Sequence, residues 1–209
     1  VKLGYAAGMV LAQNNNTQDR PSVVIGKDTR ISGYILESAL EAGFASAGVD
    51  VLLTGPLPTP AIAYQTQLLG AQAGVVISAS HNSYEDNGVK FFSSQGTKLS
   101  EKIESEIEYY LEKEIKLVSP ELLGKAKRLE NAASEYINFC KKTVSGGFSL
   151  KGLKIILDCA HGATYNVAPK IFTELGAEVI TINNKPNGLN INENAGSIHP
   201  QIIQKTVLD

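Results

Sequence analysis

The chain's 209 residues allow one large domain or two small ones, and 43% of them are hydrophobic, enough for a sizeable core. A formal net charge of -2 gives no reason to expect nucleic acid or a membrane surface as a partner; no apolar run approaches the roughly 18 residues of a membrane span, and the first residues lack the charged start and apolar stretch of a secretory signal. Cys140 and Cys159 stand far apart without metal-ligand spacing, so both are expected to be reduced core residues, with the cytoplasm as the compartment.

Residues 4–12 read as a helix already under way near the start of the chain. Residues 22–25 form a short β-branched strand, and Gly26-Lys27-Asp28-Thr29-Arg30 reads as a polar turn. Ser32 is the expected N-cap of the next helix, whose face carries Leu36, Ala39, Leu40, Gly43, Phe44 and Ala47, with Gly48 as its stop. Residues 49–53 return as a strand, and a strand-helix-strand unit implies parallel pairing. Pro56, Pro58 and Pro60 stiffen the loop over 54–60. A helix over 61–69 then leads to a buried strand at 74–77.

After that strand comes the densest set of reactive side chains in the chain, Ser78-Ala79-Ser80-His81-Asn82-Ser83-Tyr84-Glu85-Asp86. Asn87-Gly88 reads as a turn with positive φ, and residues 89–92 as a second strand carrying Lys90. A serine hydroxyl can accept a phosphoryl group as a covalent intermediate, and a nearby lysine can neutralise phosphate or move protons. The same residues also make an ordinary polar hairpin, with Lys90 as a charge that guards an edge strand. In an alternating α/β pattern, ligands gather at the C-terminal ends of the strands, where Arg30 and Ser80 could converge. Arg30 there is either a planar clamp for phosphate or the local partner of Asp28.

Residues 101–116 are expected to form a helix with a stripe of Ile103, Ile107, Leu111 and Ile115, its charged face solvated. The stretch 117–131 has weak periodicity, and a domain boundary is placed near residue 130. A helix over 132–144 and the Gly146-Gly147 loop precede a second α/β pattern: a strand at 153–158, a turn at 159–164, and a helix with Val167, Ile171 and Leu175 in which Asn166 is the expected cap and Pro169 lies in the first turn. A strand at 177–182 follows, then the polar stretch 187–200 and a closing helix over 202–209. The fold class is therefore α/β: two consecutive domains, 1–130 and 131–209, with mostly parallel mixed sheets flanked by helices, the second domain incomplete.

Ser78-Ala79-Ser80-His81-Asn82 with Asp86-Asn87-Gly88-Val89-Lys90 resembles the phosphoserine loop of the α-D-phosphohexomutases, and Ile77-Ser78 before it and Phe91-Phe92 after it resemble the bacterial phosphoglucosamine mutase branch. The turn at 26–33, Asp158-Cys159-Ala160-His161-Gly162-Ala163, Asn187-Gly188-Leu189-Asn190-Ile191-Asn192 and Gly196-Ser197-Ile198-His199-Pro200 are similar to the same family. Ser83 departs from it, standing where the family usually has proline; the change frees φ and adds a backbone donor.

The resemblance implies an N-terminal piece of a four-domain enzyme that interconverts glucosamine 6-phosphate and glucosamine 1-phosphate through glucosamine 1,6-bisphosphate. Ser80 would be the phosphate carrier, Lys90 and His81 would assist it, and Arg30 and Asn82 would bind phosphate or substrate. One magnesium ion would sit on the phosphate of Ser80, its remaining ligands lying in an Asp-rich loop outside this chain. A small sugar phosphate is the expected partner, with no nucleic acid and no membrane; oligomeric state is left open. The piece alone is expected to be inactive. A mutase for glucose or mannose phosphates, or a non-catalytic module, stay open as alternatives.

Overall fold

The computed structural model describes residues 1–14, 19–144 and 146–208. Strands β1 (Ser22–Lys27), β2 (Asp50–Pro56), β3 (Ala73–Ile77), β4 (Val89–Ser93) and β5 (Ala126–Arg128) build one sheet in the spatial order β4-β3-β1-β2-β5. All pair in parallel except β4, which runs antiparallel to β3 on the edge. The chain leaves β1 for β2 on one side and returns to β3 on the other, so β1 and β3 flank the point where the strand order reverses.

Alternation along the strands divides the core in two. Val23 and Ile25 of β1, Val51 and Leu53 of β2, and Val75 and Ile77 of β3 face one layer. There they meet α1 (Lys2–Gln13), α2 (Ser32–Ser46) and α4 (Glu101–Leu111). Val24 and Val76 face the other layer, with Ala61 and Ile62 of α3 (Thr59–Leu68) and Ala132 and Ile137 of α5 (Ala132–Lys142). Gln65 of α3 donates to Ala132 O at 3.1 Å, tying α5 to the first sheet. Val167 belongs to this same cluster and precedes α6 (Ala168–Glu174). Beyond it, β6 (Lys154–Asp158) and β7 (Glu178–Ile182) form a separate parallel pair, and α7 (Gln201–Leu208) closes the described chain. The mixed α/β architecture with a mostly parallel sheet is thus the one expected.

Local departures have identifiable causes. Gly26 and Lys27 extend β1 rather than forming a turn, because they pair with Gly55 and Pro56 on one side and with Val76 and Ile77 on the other. Residues 54–56 are likewise strand, not loop. Ser32 is not the cap of α2: Ile31 occupies that position and the Ser32 hydroxyl donates to Asn87 Oδ1 instead. Val167, not Asn166, caps α6, with Pro169 in the first turn as expected. Helix α4 stops at Leu111, leaving Ile115 39% exposed and off the apolar stripe. Strand β5, hidden in a weakly patterned stretch, is held by pairing with β2, since its own side chains are all exposed. The expectation of a final helix covers Asp209, which lies outside the described residues.

Helices α1 and α2 approach backbone to backbone. A Cβ on Gly43 would lie 2.2 Å from Val1 O and 2.6 Å from Tyr5 N, atoms that cannot swing aside. Gly43→Ala should therefore cost about 1–3 kcal/mol through overpacking, outweighing alanine's better helix propensity. Denaturant unfolding measures this, with an unchanged or raised midpoint as the contrary result.

Candidate functional site

Register brings the expected site residues together. Lys27 pairs with Ile77, so β1 and β3 end level and the segments after them leave side by side. Asp28 N donates to Ile77 O at 3.0 Å, extending that alignment by one residue.

Arg30 is 2% exposed and lies under the serine loop. Its backbone N–H donates to Asp28 Oδ1 at 3.0 Å, and its Nη1 pairs with Asp28 Oδ2. Its other donors reach carbonyls of the loop: Nη2 to Asn82 O at 2.7 Å, to Ser83 O at 3.2 Å and to Ser80 O at 3.4 Å, and Nε to Ser83 O at 3.3 Å. The local pairing of Arg30 with Asp28 is therefore present, and the guanidinium holds the loop's backbone from below.

Ser80 is exposed at the head of the loop, with φ 55. A left-handed conformation is uncommon for a residue with a Cβ and carries strain. The expected positive φ at Asn87-Gly88 is absent; the turn's irregular residue is Ser80 itself. Gly88 is needed for a different reason: Ser78 N donates to Gly88 O at 2.8 Å, and a Cβ there would lie 2.7 Å from Ser78 O. Ser78 is thus tied into the strand exit, and its Oγ accepts from Ser80 N at 3.2 Å.

The remaining expected residues surround this point. His81 is exposed beside Ser80 and lines a cavity of about 300 Å³ with Tyr84, Ile191, Asn192 and His199. The Asn82 amide donates to Asp86 Oδ2 at 3.0 Å, within the loop. Lys90 is exposed on edge strand β4, opposite Val76. Val89 and Phe91 pack into one core layer and Phe92 into the other, so alternation puts Lys90 on the face of Phe92. Among the described residues Lys90 forms no ion pair or side-chain hydrogen bond. Lys27 of the same β1 exit is buried and bound to Glu37 Oε1 at 2.9 Å beneath the Tyr34 ring, so its charge is internal.

The second half supplies contacts that residue patterns did not rank. Thr29 Oγ1 donates to His161 O at 2.5 Å and Ile31 N to Gly188 O at 2.9 Å. Asn192 Nδ2 donates to Ser80 O at 3.0 Å and to Asn82 O at 2.8 Å. Asp158 organises this side: Oδ1 accepts from Ala160 N at 2.9 Å and Asn183 Nδ2 at 3.0 Å, and Oδ2 from Gly196 N at 2.9 Å. The available signal was asparagine density in 183–194, since asparagine tolerates φ > 0 and Asn183, Asn192 and Asn194 all adopt it.

Burial pushes the Cys159 thiol above its usual range, which keeps it protonated and unreactive at neutral pH. Cys140 is free and only half-buried, less enclosed than expected of a core residue. Among the described residues no group of three or more His, Cys, Asp or Glu could hold a metal ion. The described residues therefore do not gather such a set for a magnesium ion.

The chain belongs to the phosphoglucomutase/phosphomannomutase family: residues 1–117 match its alpha/beta/alpha domain I. Among curated relatives, the phosphoglucosamine mutase of Janthinobacterium sp. (strain Marseille) is 58% identical over 207 residues, covering 99% of this chain and 46% of that protein. The phosphoglucosamine mutase of Methylibium petroleiphilum is 59% identical over 208 residues, with the same 99% and 46% coverage. A crystal structure of a phosphoglucomutase/phosphomannomutase family protein from Burkholderia thailandensis matches with a TM-score of 0.78 at 25% identity, covering 99% of this chain and 44% of that one. The chain spans about half the length, 46%, of the curated relatives it matches.

Removing Arg30 leaves Asp28, itself 5% exposed, as a buried carboxylate without its cation. Arg30→Ala should cost about 3–5 kcal/mol and speed proteolysis within residues 80–86. Unfolding curves and limited digestion check this; wild-type values in both would show that the clamp contributes nothing.

Proposed function

We propose that this chain is the phosphate-carrying part of a phosphoglucosamine mutase, with Ser80 as the residue phosphorylated. The observation that carries the reading is the exposed Ser80 at the level ends of β1 and β3, held in a left-handed turn by Arg30 and Asn192. Relatives at 58% and 59% identity, both named phosphoglucosamine mutase, support the choice of sugar.

In the proposed reaction, the C1 hydroxyl oxygen of glucosamine 6-phosphate attacks the phosphorus on Ser80. The bond from phosphorus to Ser80 Oγ breaks, a bond to the sugar oxygen forms, and the hydroxyl proton is exchanged in net for the phosphoryl group on Oγ. The product is glucosamine 1,6-bisphosphate. After the sugar reorients, Ser80 Oγ attacks the phosphorus of the 6-phosphate; the bond from phosphorus to O6 breaks, the serine proton passes in net to O6, and phosphoserine is regenerated as glucosamine 1-phosphate leaves. Serine here is a carrier, so it needs no Ser-His-Asp relay.

Lys90 brings a positive charge to the transferring phosphoryl group. His81 supports the phosphate beside Ser80. Arg30 acts from beneath the loop, shaping the phosphate-binding surface through carbonyl contacts, and Asn82 does so through Asp86. A magnesium ion bound to the phosphate of Ser80 would neutralise charge; its other ligands come from outside the described residues. We place the boundary between the two α/β units near residue 130, after β5, and the enzyme in the cytoplasm. No described helix is long and apolar enough to cross a membrane. The family description also covers glucose and mannose phosphates, and direct competition of these sugars in the full-length enzyme separates that reading from ours.

Ser80→Ala in the full-length enzyme should lower kcat on the order of 10³-fold or more, and peptide mass mapping of protein isolated from cells should place the phosphate on Ser80. Phosphate on Ser78 or Ser83, with an active Ser80→Ala enzyme, overturns the assignment. Lys90→Ala should lower kcat by about 10²-fold with little change in unfolding midpoint. A wild-type kcat would remove Lys90 from the chemistry.

A further inference from the structure

We infer that Asn192 is a positioning residue for the Ser80 loop, an inference that rests on the phosphoserine reading above. Its Nδ2 donates to Ser80 O at 3.0 Å and Asn82 O at 2.8 Å. Arg30 Nη2 reaches the same two oxygens at 3.4 and 2.7 Å. A carbonyl oxygen has two lone pairs, and here each oxygen accepts one donor from either half of the chain.

The consequence follows from peptide geometry. In a planar trans peptide the C=O of one residue and the N–H of the next point in opposite directions. Holding the carbonyls of Ser80 and Asn82 on Arg30 and Asn192 turns the N–H groups of His81 and Ser83 away from both, to the open side of the loop. Neither N–H meets an acceptor among the described residues. Outward amides in a loop with a left-handed residue suit an anion. A phosphate on Ser80 is then flanked by N–H dipoles, with the repelling carbonyls drawn inward.

Asn192 is itself anchored for this task. It adopts φ 60, and its N–H donates to Ala160 O at 2.9 Å. Ala160 N donates in turn to Asp158 Oδ1 at 2.9 Å. A line of contacts therefore runs from the end of β6 to the peptide of Ser80.

The test uses the full-length enzyme and two variants. Asn192→Gly keeps the left-handed backbone and deletes the amide; Asn192→Asp keeps the shape and sets a carboxylate oxygen against the carbonyls. Both should lower kcat about tenfold or more, with KM for glucosamine 6-phosphate within about twofold and the unfolding midpoint nearly unchanged. The ³¹P resonance of the phosphoserine should shift, and amide exchange over residues 79–84 should quicken. Wild-type kcat, ³¹P signal and exchange in both variants would overturn the inference, as would a fall in kcat fully matched by lost stability. Amide exchange reads the clasp whichever sugar is turned over. If the wild-type enzyme carries no phosphate on Ser80, the phosphoserine reading fails; if it does and both variants behave like it, only the role of Asn192 fails.

Discussion

The buried guanidinium of Arg30 is the interaction on which the rest of the site depends. A charge 2% exposed is costly to hold inside a protein unless it is paired, and Asp28, two residues earlier, supplies the partner. That pairing leaves donors which point up into the loop and fasten three successive parts of its backbone, at Ser80, Asn82 and Ser83. The planar, five-donor shape of arginine matters here, since a lysine ammonium could not reach Asp28 and several carbonyls in one plane. The loop owes its shape to a cation that touches its backbone and leaves its reactive side chains free.

The sheet makes that interaction possible. Level ends of β1 and β3 bring Asp28 and Arg30 under residues 80–83. Two core layers on opposite faces of the sheet keep β1 and β3 in place, so both sides of the reversal point are buried while the Ser80 loop beyond the strand ends is exposed. Helix α5 fills the second layer beside α3, so the part of the chain that follows the first sheet is packed against it. The docking of His161, Gly188 and Asn192 onto the 28–31 turn and the Ser80 loop builds on that packing.

Much of this was legible in the chain. Residues 22–25, 49–53 and 74–77 are short apolar runs rich in valine, isoleucine and leucine, and the helix after the first of them carries an apolar face at helical spacing. The Ser80 loop was legible because its reactive residue types crowd into a short span between strands. Strand β5 was not, because an edge strand with exposed side chains carries no burial pattern. Ser32 looked like a cap, but its hydroxyl found a tertiary partner in Asn87.

By itself the sequence determined the α/β class and the order of most elements, and it offered Ser80, Arg30 and Lys90 as candidates through the resemblance of their motifs to a known family. Class and order depend on local periodicity, which is a property of short segments. Tertiary structure alone decided that Arg30 faces the loop's carbonyls, that the left-handed residue is Ser80 and not Asn87 or Gly88, and that Asn192 closes on the loop from 112 positions away. Each of these depends on groups that meet only once the strands have paired and the two halves of the chain are packed together. That is a property of the assembled backbone, and no segment carries it on its own.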